Sequence, residues 1–173
     1  MTPPVTLSLA PDRSRARLRM FHPKGNIITL EIIERLAEGL TTLGGEPHLK
    51  LITIEGEGPD FSFGASIPEH APGEIERVLP ESHRLTLALL DAPAPTAAVV
   101  RGRCLGGGFE IALACDFIFA SDSASLTNVA RKLWPCRAPD ELRQPCEESA
   151  EQLKLRSRAA IMLELACDAS KMD

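Results

Sequence analysis

The chain has 173 residues, 44% hydrophobic and 25% charged, with a net charge of -5. That length and balance suit one globular domain with a substantial core. The acidic charge and the lack of any Lys/Arg cluster exclude a nucleic-acid surface, and no apolar run approaches membrane-spanning length.

The N-terminal MTPPVTLSLAPD lacks a charged region followed by an apolar core, so no leader is expected. Val5 to Leu9 and Arg15 to Met20 alternate apolar and polar residues around Pro11-Asp12-Arg13-Ser14, the pattern of a β-hairpin. Arg13, Arg15, Arg17 and Arg19 then form one solvated strand face. In FHPKGNIIT, Pro23 and Gly25 break the strand and Thr29 is a candidate helix N-cap. Leu30, Ile33, Ala37 and Leu40 follow at helical spacing, opposite Glu31, Glu34, Arg35 and Glu38, up to Gly44-Gly45.

Leu49 to Glu55 reads as a buried strand closed by a Gly-Glu-Gly-Pro turn. Phe61 to Ile67 has aromatics and a glycine but no period, so an irregular packed loop is expected. His70 to Pro80 reads as a surface excursion and Ser82 to Asp91 as a helix, ended by Pro93 and Pro95. Two apolar runs, Ala97 to Val100 and Phe117 to Ala120, are buried strands. Between them Gly106-Gly107-Gly108 opens into a short helix, Phe109 to Ala114, with Glu110 in its first turn. Strands alternating with helices make this an α/β protein.

Beyond Ser121 the pattern weakens. None of the 12 glycines lies after Gly108. Asp122 to Leu126 is a candidate short strand, and Glu147 to Ala169 favours a helix by composition. The expected division is a core over residues 1–126 and an atypical, helical segment over 127–173. The five cysteines, Cys104, Cys115, Cys136, Cys146 and Cys167, are odd in number and form no CxxC pair. Reduced thiols and a cytoplasmic location are expected. His22, His48, His70 and His83 stand at no ligand spacing, so no metal centre is expected.

The segment LGGGFE fits two readings. Glycines at a strand-to-helix turn permit close packing, with Glu110 in a structural hydrogen bond. They equally let a ligand approach the unpaired N–H groups of a helix N-terminus, as in an oxyanion hole. No Lys-Ser/Thr follows, which excludes a P-loop, and GxGxxG does not fit. The loop FSFGAS alone favours packing.

Taken together, FSFGASI and AAVVRGRCLGGGFEIALACDFIFAS resemble the crotonase (enoyl-CoA hydratase/isomerase) superfamily, and HPKGNIIT is similar to its early proline–asparagine turn. The resemblance implies a spiral core of repeated strand–strand–helix units, incomplete here at the C-terminus. It implies an oxyanion hole from the backbone N–H groups of Ala65 and Gly107, with Glu110 as a proton-transfer group. Ala65, Ser66, Ile67, Pro68 and Gly107 match the substrate-binding positions. The implied reaction adds water to cyclohexa-1,5-diene-1-carbonyl-CoA or a similar enoyl-CoA. Coenzyme A enters only as part of that acyl-CoA substrate, with no other cofactor, and a homotrimer or hexamer is the family's assembly.

The family pattern also implies a second glutamate in an FGxPE-like segment after Phe117 to Ala120. This chain reads ASLTNVARKLWPC there. A frameshifted or truncated reading frame after about Leu126 would account for that. With Glu110 as the single acid, a double-bond isomerase or a catalytically silent acyl-CoA-binding protein are the alternatives.

Overall fold

The computed structural model describes residues 2–127. The expected helix over Glu147 to Ala169 and the 127–173 segment, apart from Thr127, lie outside the described residues.

Strands β1 (Val5–Leu9) and β2 (Arg15–Met20) form the expected antiparallel hairpin, with Val5 opposite Met20. Alternation in β2 buries Ala16, Leu18 and Met20 and turns the arginines outward. That face is less free than its sequence suggests. Arg17 Nε lies 2.6 Å from a carboxylate oxygen of Glu55, and Arg19 and Arg101 reach the same group at 3.8 and 3.3 Å. The Glu55 side chain is only 7% exposed. Its neighbour across the sheet is Arg19, so arginines close over an otherwise uncompensated carboxylate.

Helix α1 (Leu30–Leu43) begins at Thr29, whose hydroxyl accepts from the Ile32 N–H at 3.3 Å. Ile32, Ile33, Leu36, Ala37, Leu40 and Leu43 make its buried stripe. Strand β3 (Leu51–Gly56) runs parallel to β2. Helix α2 spans Ile75–Leu90, starting well before the expected Ser82. Pro80 falls inside it and removes one backbone donor, which is why it reads as a terminator. The helix continues through it because Val78, Leu85 and Leu89 are buried on one face.

Strand β4 (Thr96–Val100), strand β5 (Arg103–Leu105), helix α3 (Gly107–Ala114), strand β6 (Phe117–Ala120) and strand β7 (Ser125–Thr127) complete the described chain. The main sheet has the order β1-β2-β3-β4-β6, parallel beyond β2. Asp116 ties the starts of β4 and β6 together by accepting from the Thr96 N–H and hydroxyl, both at 2.9 Å. A second row of short pairings stands beside the sheet. It consists of bridges Ile28–Ala65 and Ser62–Cys104 and the parallel pair β5–β7. Each repeat therefore has one strand in the main sheet, one short extended piece in the second row, and then a helix. This matches the strand–strand–helix unit expected from the sequence. β5 was not expected, because three residues are too few for a period and pairing partners define them.

Asn26 anchors the second row. It adopts φ +53°, a left-handed conformation that asparagine tolerates, and is 2% exposed. Its side chain accepts from the His22 N–H at 3.1 Å and donates to the Glu57 and Asp60 carbonyls, both at 2.9 Å. Asn26→Ala leaves these buried groups unpaired and should cost about 2–4 kcal/mol in urea unfolding. Asn26→Asp should do no better, since its second oxygen would face two carbonyls. An alanine variant as stable as the parent would remove this anchor.

Candidate active site

The loop after β3 crosses the turn before α3 with its backbone hydrogen bonds almost fully accounted for. The Phe61 N–H donates to the Arg101 and Arg103 carbonyls at 2.9 and 3.0 Å, and the Ser62 N–H to Arg103 O at 2.9 Å. The Phe63 N–H donates to Gly25 O at 2.8 Å, and the Gly64 N–H to the Ser62 hydroxyl at 3.0 Å. The Ser66 N–H donates to Ile28 O at 2.9 Å. Within this run the Ala65 N–H is the one without a partner among the described residues.

Opposite it, the Gly106 N–H pairs with Thr127 O at 3.0 Å and the Glu110 N–H with Gly106 O at 3.0 Å. The Gly107 N–H is left without a partner among the described residues, as first-turn donors of a helix are. Ala65 and Gly107 adjoin. A Cβ built on Gly107 would stand 3.2 Å from the Ala65 Cβ and 3.4 Å from the Ala65 nitrogen. One step along, a Cβ on Gly108 would lie 2.5 Å from the Ser62 Cβ. Gly106 has φ +48° and ψ -121°, a conformation closed to residues with a side chain.

Ala65, Gly107 and Glu110 line one cavity of about 140 Å³. Ile28, Ile33, Val78, Leu85 and Ile111 supply its apolar wall. Glu110 is exposed at this cavity, three residues along α3 from Gly107 and hence on the same side of the helix. One donor from a loop and one from a helix N-terminus, on a largely apolar cavity with a carboxylate beside them, can stabilise an oxygen anion and move a proton near it.

The other expected site residues follow Ala65. Ser66 is buried and its backbone N–H is already engaged. Ile67, 76% exposed, and Pro68 are open to solvent. Pro68–His70 make a short 3-10 turn. Two residues of that turn were given no role from the sequence. The Glu69 carboxylate accepts from the Leu30 N–H at 2.8 Å, so it caps α1 from across the chain. His70 lines the cavity with Glu110, and its Nδ1 lies 2.8 Å from the Ser66 carbonyl.

Cys104 and Cys115 lie in the core beneath these elements. Burial pushes both thiols up to about 12, with a Thr96 hydrogen bond opposing the shift at Cys115. Neither is a thiolate nucleophile at neutral pH.

The model of the enoyl-CoA hydratase/isomerase family matches residues 13–133. The chain belongs to this family. It is 35% identical over 151 residues to cyclohexa-1,5-dienecarbonyl-CoA hydratase of Thauera aromatica, covering 84% of this chain and 58% of that protein. It is 33% identical over 124 residues to a probable enoyl-CoA hydratase of Bacillus subtilis (strain 168), covering 69% and 48%. An enoyl-CoA hydratase structure from Mycobacterium avium subsp. paratuberculosis K-10 superposes with a TM-score of 0.64 at 29% identity, covering 74% of this chain and 48% of that one. The described fold is thus the crotonase fold, as the resemblance implied. The chain spans about half the length of these relatives. No helix among the described residues is long and apolar enough to cross a membrane.

The glycines of this enoyl-CoA hydratase/isomerase family member separate by substitution. Gly106→Ala should lose about 1–3 kcal/mol in urea unfolding through backbone strain. Gly107→Ala should stay within about 1 kcal/mol of the parent, because alanine is the better helix residue and Ala65 need give only slightly. Equal losses at both positions would contradict the geometry.

Proposed function

We propose that this chain carries the site of an acyl-CoA hydro-lyase that adds water across the double bond of an enoyl-CoA. The observation that carries the reading is the pair of N–H groups, Ala65 and Gly107, without a partner among the described residues and beside Glu110 on one cavity. The thioester oxygen accepts from both N–H groups. Water adds to the electron-poor end of the conjugated double bond, the π electrons move toward the carbonyl, and negative charge grows on that oxygen. Donors already in place stabilise this charge without reorganisation. Glu110 exchanges a proton with the carbon beside the carbonyl, one helical turn from the oxyanion hole. Coenzyme A leaves the cavity over Ser66, Ile67 and Pro68.

The ring of cyclohexa-1,5-diene-1-carbonyl-CoA is the acyl group we favour. The cavity of about 140 Å³ has Ile28, Ile33, Val78, Leu85 and Ile111 on its wall, which suits an apolar ring. The similarity to the Thauera aromatica protein supports the same substrate class. A second reading follows from Glu110 being the only carboxylate lining the cavity among the described residues. Double-bond migration needs one proton carrier, so a single-acid isomerase uses the same geometry.

Glu110→Gln separates binding from chemistry. Hydration of the dienoyl-CoA should fall at least about 100-fold while acyl-CoA binding by calorimetry stays within about threefold. Hydration that survives in the glutamine variant would remove Glu110 from its role. A parent chain that shifts the double bond without adding water would favour the isomerase.

A further inference from the structure

Hydration moves two protons, one off the water and one onto carbon, and Glu110 accounts for the second. Resting on the reading above, we infer that His70 Nε2 is the group that takes the proton from water. His70 is half-buried in the wall of the cavity that Ala65, Gly107 and Glu110 share. Its Nδ1 lies 2.8 Å from the Ser66 carbonyl oxygen. A carbonyl only accepts, so Nδ1 carries the hydrogen and donates it. In the neutral ring the lone pair is therefore on Nε2, which makes no hydrogen bond among the described residues and is not a buried atom. A fixed tautomer with a free second nitrogen is the arrangement a general base requires. The ring's position is itself held. Ser66 is pinned by its N–H to Ile28 O, and the 3-10 turn bearing His70 is tied to α1 through Glu69.

Hydration runs from the form that holds one proton between the two groups, on the Glu110 carboxyl. His70 Nε2 takes a proton from water as the water oxygen bonds to the electron-poor carbon. The π pair moves to the carbon beside the carbonyl, with charge on the thioester oxygen. That carbon then takes the Glu110 proton, leaving a carboxylate and an imidazolium. Solvent returns the imidazolium proton to Glu110. Nothing is oxidised or reduced. In reverse, the Glu110 carboxylate removes the α-hydrogen and the imidazolium protonates the departing hydroxyl.

The test uses His70→Asn in the full 173-residue chain. Asparagine keeps a donor where Nδ1 stands, so the bond to Ser66 survives, and it has nothing at Nε2. Two rates are read: hydration of cyclohexa-1,5-diene-1-carbonyl-CoA, and α-hydrogen exchange of cyclohexanecarbonyl-CoA in D2O. Exchange needs only Glu110 and the oxyanion hole. The expected result is hydration down at least about 100-fold with exchange within about threefold. In His70→Ala, added imidazole should restore part of the hydration and leave exchange unmoved. Hydration within about threefold of the parent in His70→Asn overturns the inference. So does an equal fall in both rates, which would mark His70 as a purely structural residue. A parent that exchanges but does not hydrate overturns it while leaving the oxyanion hole and Glu110 standing. A parent that does neither overturns both.

Discussion

Two backbones meet in this molecule with almost nothing between them, and the site depends on that contact. The segment around Ser62 and Ala65 lies against the turn at Gly107 and Gly108 so closely that one added methyl group would collide with Ser62. Ser62 is the residue that makes the approach hold. Its hydroxyl donates to Asn26 O at 2.7 Å and accepts from the Gly64 N–H, while its backbone pairs with Arg103 and Leu105. A buried hydroxyl with both roles filled has one orientation available. The consequence reaches Ala65, three residues on, which is held against Gly107.

What distinguishes the proposed oxyanion hole is the completeness of the pairing around it. Main-chain donors inside a fold find acceptors almost without exception. Among the described residues, that rule holds from Phe61 to Ser66 at every residue except Ala65. The unpartnered N–H does not come at the cost of a loose loop, because Asn26, Ile28 and Arg103 hold the flanking residues. Preorganised donors of this kind can stabilise developing charge because they need not move when it forms. The Gly107 donor belongs to a helix N-terminus, whose partial positive charge adds to the effect.

Much of the fold is legible in the sequence wherever periodicity reports burial. The hairpin, α1 with its Thr29 cap, and β4 and β6 stand where their patterns place them. The start of α2 was hidden by Pro80, since a missing donor signals an end whether or not packing overrides it. β5 was hidden by its length. The arginine face of β2 reads as solvated until Glu55, far away in sequence, is brought beside it. For the site, Gly106 to Glu110 were suspect from their residue types alone, but FSFGAS looked like packing and joined them only through the family resemblance. His70 and Glu69 were given no role by the local sequence. Their places are set by a loop that folds back onto the start of α1, and no spacing within PEH encodes that.

The central claim is that the Ala65 and Gly107 N–H groups converge on one ligand oxygen. Amide-resolved NMR of the labelled chain titrated with acetoacetyl-CoA, whose enolate carries charge on oxygen, tests it directly. The account predicts that the Ala65 and Gly107 amide protons shift downfield together, saturating at the same ligand concentration. Saturable binding that moves neither amide, or only one of them, would contradict it.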